Sequence, residues 1–179
     1  MNPELYKKYN VAGPRYTSYP TVPYWDQSPT ADQWISSLRG ALDKAQTDNT
    51  GAAIYVHIPF CESLCTYCGC NTRITRNHGV SVPYTQTVLQ EFDLYREKLG
   101  LTGQGKEKKL VLSELHLGGG TPTFFSPVEL THLLSGLFQH CEIHSDYEFS
   151  IEVDPRVTNR EHLEVLKKFQ FKRDRKSVV

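Results

Sequence analysis

Tyr55-Val-His-Ile-Pro-Phe-Cys-Glu-Ser-Leu-Cys-Thr-Tyr-Cys-Gly-Cys70 carries four of the chain's five cysteines. Cys61, Cys65 and Cys68 stand in the order C-x3-C-x2-C, and Cys70 follows as C-x-C. Three thiolates this close can hold three irons of a cubane cluster, which leaves the fourth iron open to a substrate or cofactor. Ferredoxin-type clusters take four cysteines because they only pass electrons. The competing reading is a structural zinc site that also uses Cys70. Zinc usually takes pairs of cysteines separated by a longer span, and four within ten residues would strain a tetrahedron. Cys70 reads as a neighbour of the site and not as a ligand. Cys141, alone after a helix, reads as a small buried residue.

Working outward, Ala52 to Ile58 is a short apolar, β-branched run that ends at Pro59 and reads as a buried strand feeding the cysteine loop. Before it, Trp34, Ile35, Leu38, Ala41, Leu42 and Ala45 recur at helical spacing after Thr30, with Gln33 placed to complete a capping box. Asp48-Asn-Thr-Gly51 closes that helix with turn chemistry. Residues 1 to 30 are rich in Tyr and Pro, which keeps an arm extended or turned.

After the loop, Tyr84, Val88, Leu89, Phe92, Tyr95 and Leu99 form a helical stripe stopped by Gly100. Leu110 to Leu117 reads as a second strand, with Gly118-Gly-Gly120 leaving its end. Ser126-Pro127-Val128-Glu129 combines an N-cap, a first-turn proline and a capping-box glutamate, so a helix runs from there through Phe138. Tyr147, Phe149, Ile151 and Val153 alternate with Glu148, Ser150 and Glu152 and give a third strand. Thr158 and Glu161 are read as a further capping box, opening a helix with Leu163, Leu166 and Phe169 inside. Strand and helix alternate three times, which makes a parallel sheet with right-handed crossovers. Each distinctive motif leaves the C-terminal end of a strand, where α/β folds place their ligands.

Composition narrows the functional classes. A chain of 179 residues can bury a full core without disulfides. Lys plus Arg and Asp plus Glu are 20 each, so no basic excess advertises nucleic acid. No segment approaches the ~20 apolar residues of a spanning helix. The charged start, Met1-Asn-Pro-Glu-Leu-Tyr-Lys-Lys-Tyr9, is unlike a signal peptide. With clustered cysteines of odd number, a reducing cytoplasm is the expected compartment.

The cysteine spacing resembles the signature of the radical S-adenosylmethionine (SAM) superfamily. The words around it are similar to those of the oxygen-independent coproporphyrinogen III oxidases. They are Tyr55-Val-His-Ile-Pro-Phe-Cys61, Cys68-Gly-Cys70-Asn71, Gly118-Gly-Gly-Thr-Pro-Thr123, Ile151-Glu-Val-Asp-Pro-Arg156 and the arm Gly13-Pro-Arg-Tyr-Thr-Ser-Tyr-Pro20. The resemblance implies a partial (β/α) radical SAM barrel, of which this chain supplies the first three βα units of six after an N-terminal arm and helix. It implies a 4Fe-4S cluster on Cys61, Cys65 and Cys68. It places SAM against Tyr55, Tyr67, Gly69, Gly118, Gly119, Gly120, Thr121 and Glu152, the glycines letting backbone approach the ligand with main-chain groups free to bond it. His57 reads equally as a site neighbour or as a satisfied interior histidine. Arg15, Tyr16 and Tyr19 would lie near a tetrapyrrole.

The implied activity is oxygen-independent oxidative decarboxylation of coproporphyrinogen III to protoporphyrinogen IX in haem biosynthesis. A 5'-deoxyadenosyl radical from SAM would take hydrogen from each propionate, with an electron donor protein as partner and a monomer as the expected state. The alternatives are a haem-binding radical SAM relative acting as a haem chaperone, disfavoured by the arm and the C-x-C, and a non-catalytic remnant. The organisation expected is an arm and helix over residues 1–50, a truncated radical SAM core over 51–173 and an aberrant tail over 174–179. Without the later units, turnover by these residues alone is not expected.

Overall fold

The structure is a computed structural model and describes residues 3–10, 24–25, 28–66, 68–103 and 107–176, without the side chains of Tyr6, Arg175 and Lys176. The arm motif at 13–20, with Arg15, Tyr16 and Tyr19, and also Tyr67 lie outside the described residues. The chain divides into two compact units, Met1–Trp34 and Ile35–Val179.

The first unit holds helix α1 (Pro3–Tyr9) and the start of α2 (Ala31–Asp48). The capping box expected there is present: Gln33 N donates to Thr30 Oγ1 at 3.3 Å, and Thr30 N donates to Gln33 Oε1 at 2.8 Å. None of the residues of α2 is buried. The turn after it uses positive φ at Asn49 and Gly51.

In the second unit, strand β1 (Ala52–Ile58) leads to the short strands β2 (Phe60–Cys61) and β3 (Arg73–Ile74). These are followed by α3 (Ser81–Lys98), β4 (Leu110–Gly119), α4 (Pro127–Phe138), β5 (Cys141–Val153), α5 (Arg160–Lys168) and β6 (Arg173–Lys176). The main sheet has the order β1-β4-β5-β6, and every pairing in it is parallel. Alternation of strand and helix produced the parallel sheet as expected. The sheet carries one strand more than the expected three: β6 pairs Ser150 with Arg173 and Val153 with Lys176 along β5. A charged sequence serves here because edge pairing uses backbone groups, which β5 offers whatever the side chains are.

One face of the sheet packs against helices. Val56, Ile58, Leu112, Leu115, Leu117, Phe149, Ile151 and Val153 join Leu130, Leu133, Leu134, Leu137 and Leu166 in one apolar cluster. The opposite face carries Tyr55, Glu114, His116, Glu148 and Ser150 around an open cleft of about 200 Å³. Parallel sheets are usually covered on both faces, yet Tyr55 is 58% exposed.

Several elements differ from the sequence reading: Pro3–Tyr9, in the arm expected to be extended or turned, is a helix because its prolines beyond Pro3 come later in the chain. Strand β4 runs on through Gly118 and Gly119, so the glycine run begins inside the sheet. The cap of α5 is Asn159, whose side chain accepts from His162 N, while Asn159 N donates to His162 Nδ1. Thr158 is not the cap because its hydroxyl is spent on the Asp154 carbonyl at 2.7 Å and meets Thr123 Oγ1 at 2.8 Å. Leu166 is buried as expected, whereas Leu163, expected inside, is 55% exposed and His162 is buried in its place. Among the described residues, no helix is long and apolar enough to cross a membrane.

Candidate metal and cofactor site

The cysteine loop is tied at its stem. Pro59 ends β1, and the chain then pairs Phe60 with Arg73 and Cys61 with Ile74 in a short parallel ladder. Arg73 N donates to Pro59 O at 2.7 Å, and Thr75 N donates to Cys61 O at 2.9 Å. Cys61 is therefore fixed where the loop leaves the sheet. Further along, Cys68 N donates to Cys65 O at 3.2 Å, which folds these two cysteines into one turn. Cys61 Sγ lies 3.3 Å from Thr121 Oγ1, and Cys68 Sγ lies 3.7 Å from Thr72 Oγ1.

All five cysteines are free thiols. Burial pushes the Cys61 thiol up; the Thr121 hydroxyl opposes this, and negative charge on Cys68, Cys65 and Asp154 adds to it. The Cys61 thiol thus resists ionising unless a cation neutralises it, which is what metal binding does. Among the described residues, no three His, Cys, Asp or Glu side chains are gathered so as to hold a metal ion. In a cubane each thiolate takes a different iron, so its sulfurs stand further apart than sulfurs sharing one ion. The donor set, three thiols on one short tethered loop, fits such a cluster. Cys141 is buried at the start of β5, and burial pushes its thiol up to about 11, against the opposing charges of Arg96 and Lys109. It is a core residue, as its isolation in the sequence suggested.

The glycine stretch is stitched to the cysteine stem. Gly120 N donates to Ile58 O at 2.7 Å, and Thr121 N donates to Phe60 O at 2.8 Å. A Cβ on Gly120 would stand 2.8 Å from backbone atoms of Pro59 and Phe60, so only glycine permits this approach. Gly119 adopts φ of +111° beside the His57 ring, and its N–H donates to Glu152 Oε2 at 3.0 Å. The amides of Gly119, Gly120 and Thr121 are thus committed within the chain, so of the main-chain groups expected to meet a ligand these three N–H groups are already paired. The physical reason is that parallel strand ends leave unpaired carbonyls, and the strap satisfies those of Ile58 and Phe60.

His57 proves to be satisfied on both nitrogens. Nε2 lies 2.8 Å from Asn71 O, and because a carbonyl only accepts, Nε2 carries the proton. Nδ1 then accepts from the Tyr55 hydroxyl at 3.1 Å. Burial raises the Tyr55 phenol first, and the nearby charges of Glu152, Cys70 and Tyr84 raise it further. Gly69 is exposed in the loop.

Tyr55, Gly118 to Thr121, Glu152 and Cys61 therefore meet at the C-terminal end of β1, β4 and β5. Beside them lies a cleft of about 190 Å³ lined by Glu62, Ser63, Arg76, Thr121, Asp154 and Arg156. Arg156 clasps Asp154 through four contacts of 2.6 to 3.1 Å and holds its carboxyl below the usual range, against a smaller upward push from burial. Both residues stand in the Ile151–Arg156 motif, which by sequence alone assigns them no role. The sequence motifs leave out His116, whose ring stacks on Tyr55 and faces Glu152. Its place two residues before the glycines, in step with Gly118 on the polar face of β4, was the available signal.

No family model matches the chain. It is 34% identical over 172 residues to an oxygen-independent coproporphyrinogen III oxidase of Pseudomonas aeruginosa, covering 95% of this chain and 35% of that relative. A protein of the same name from Mannheimia haemolytica is 34% identical over 152 residues, 84% of this chain and 94% of the relative. Among solved structures, a coproporphyrinogen III oxidase from Escherichia coli, described as a radical SAM enzyme, superposes with a TM-score of 0.74 at 29% identity. The match covers 97% of this chain and 35% of that one. The chain thus spans about a third of the length of the Pseudomonas relative and of the solved structure.

Proposed function

The chain belongs to the oxygen-independent coproporphyrinogen III oxidase family, and from that premise we propose that it carries the cluster-binding and SAM-binding part of a radical SAM enzyme. Cys61, Cys65 and Cys68 would hold a 4Fe-4S cluster. Tyr55, Tyr67, Gly69, Gly118, Gly119, Gly120, Thr121 and Glu152 would receive SAM. Bound there, these cofactors supply the one-electron chemistry that converts propionate side chains of coproporphyrinogen III to vinyl groups with loss of carbon dioxide. An electron donor protein is the partner this chemistry requires.

The observation that carries the reading is the stitching of the glycine strap to both other motifs. Thr121 reaches the stem of the cysteine loop through Phe60 O and Cys61 Sγ, and Gly119 N–H holds Glu152. Three stretches far apart in sequence converge on one place, and each has the chemistry that place needs. The residues divide the work. The thiols offer soft ligands for iron. Glu152 is oriented by the Gly119 N–H, which leaves its other oxygen to accept from an ammonium or from ribose hydroxyls. The Tyr55 ring, more than half exposed, offers a face for the nucleoside.

The test is anaerobic reconstitution of the 179-residue chain with iron and sulfide, followed by dithionite and SAM. About four irons per chain, with a reduced-cluster paramagnetic signal that shifts when SAM is added, is the expected result. Uptake of no iron, or a cluster whose signal ignores SAM, would overturn the proposal. Cys65→Ala should abolish iron uptake, and Cys70→Ala should leave it intact.

A further inference from the structure

Glu152 is held from one side by a backbone N–H, and its second oxygen faces a residue that no motif singles out. His116 sits on β4 opposite Tyr55 of β1 and Ser150 of β5 in the sheet register. Its ring stacks on Tyr55 with centroids 5.6 Å apart and planes 14° from parallel. One edge meets Ser150, with Nδ1 2.7 Å from the hydroxyl oxygen. The other edge faces Glu152, with Nε2 3.6 Å from Oε1. The stack fixes the plane of the imidazole and Ser150 fixes its rotation within that plane. What remains is a nitrogen aimed at the carboxylate.

The tautomer follows from the partners. A bare nitrogen lone pair facing a carboxylate is repulsive, whereas an N–H there is attractive, so Nε2 carries the proton. Nδ1 then accepts from the Ser150 hydroxyl, the one partner of the two that can donate. At 3.6 Å the contact with Glu152 is longer than a direct hydrogen bond and lies within ion-pair range. Polar contacts in a ligand-free site are commonly long and tighten when the ligand arrives.

We propose that His116 is the positioning residue of Glu152: a relay from Ser150 Oγ through the imidazole to Oε1 holds the carboxylate turned toward the cationic end or ribose of a bound SAM. The role toward SAM rests on the function proposed above, and the relay itself does not. With Gly119 N–H on Oε2 and His116 Nε2–H beside Oε1, the carboxylate is restrained at both oxygens before ligand arrives. Preorganisation of this kind raises affinity by removing the cost of ordering the group on binding.

The relay is tested in the metal-free chain by long-range proton–nitrogen NMR of labelled histidine. An Nε2–H tautomer at His116, with Nδ1 shifting when Ser150→Ala removes its donor, is expected. The SAM role is tested by equilibrium dialysis of labelled SAM against the reconstituted chain and its variants. His116→Phe keeps the ring stacked on Tyr55 and removes both nitrogens, while His116→Gln keeps an N–H toward Glu152. His116→Phe should weaken SAM binding about tenfold, as should Glu152→Gln, and the double variant should lose about tenfold, not a hundredfold, because the two act as one unit. His116→Gln should recover most of the loss, and thermal midpoints of the Phe and Gln variants should match. An Nδ1–H tautomer, or losses that multiply in the double variant, would overturn the relay. A wild-type chain that shows the expected tautomer yet ignores SAM would overturn the proposed function and the SAM role together, and would leave the relay supported.

Discussion

At Gly120 a methyl group would stand 2.8 Å from the carbonyls of Pro59 and Phe60, both of them backbone and unable to swing away. Gly120→Ala is therefore expected to destabilise the chain by about 1 to 3 kcal/mol, the usual cost of forcing atoms into a filled space, read as a lowered urea midpoint. An unchanged midpoint would show that the strap can lift from the cysteine stem. Asp154 makes a prediction in pH. Its folded carboxyl is depressed by Arg156, so its contribution is fully present above the ordinary carboxylate pKa of about 3.9 and is lost as pH falls through the lower folded value. Glu129 titrates in the same direction: burial pushes it up, and hydrogen bonds from Ser81 and Ser126 outweigh that push. In acid titrations of unfolding, Asp154→Asn should lose stability less steeply below about pH 4 than the parent chain does. Equal slopes would mean that the clasp persists when Asp154 is protonated.

Among the elements, α4 has the most explicit start. Ser126 Oγ accepts from Glu129 N at 3.3 Å and Glu129 Oε2 accepts from Ser126 N at 2.8 Å, and Ser81 Oγ donates to Glu129 Oε1 at 2.5 Å. Ser126→Ala should cost about 1 kcal/mol of unfolding free energy, measurable by urea denaturation, and no change would show the proline alone suffices to start the helix. This helix and β1 were legible because their signals are local: a cap, a first-turn proline, a run of β-branched residues ending at Pro59. Alternation in the sequence marks β5 only from Tyr147, although the strand begins at Cys141. Its ladder with β4 pairs Leu112 with Ile143 and then Glu114 with Glu148, so the pairing breaks register across His144 to Tyr147. Alternation in sequence is lost over such an irregularity, while the neighbouring strand keeps the backbone in place.

For the molecule as a whole, the sheet order puts β4 and β5 inside and β1 and β6 at the edges. Native-state hydrogen exchange should find the slowest amides at Leu115 and Leu117 of β4, which is flanked by two strands and buries both side chains in the core, and faster exchange in β6. Uniform protection along all four strands would contradict that gradient. The sheet's polar face follows from the same topology. Tyr55, His116 and Ser150 share one row because β1, β4 and β5 are adjacent and in register. A spacing pattern within one strand says that Glu148, Ser150 and Glu152 share a face, and the structure agrees. It carries no information about which histidine on another strand will stand beside them.

By itself the sequence determined the succession of elements, the parallel sheet, the cysteine spacing and the family resemblance, since each rests on residues a few positions apart. The tertiary structure alone decided that Thr121 meets Cys61 across 60 residues, that the strap's amides are spent on Ile58, Phe60 and Glu152, and that His57 is satisfied by Tyr55 and Asn71. It also decided that His116 faces Glu152. Local pattern encodes the face a side chain takes on its own strand. Which side chains meet across strands depends on register, and register is set by the packing of the entire sheet against its helices.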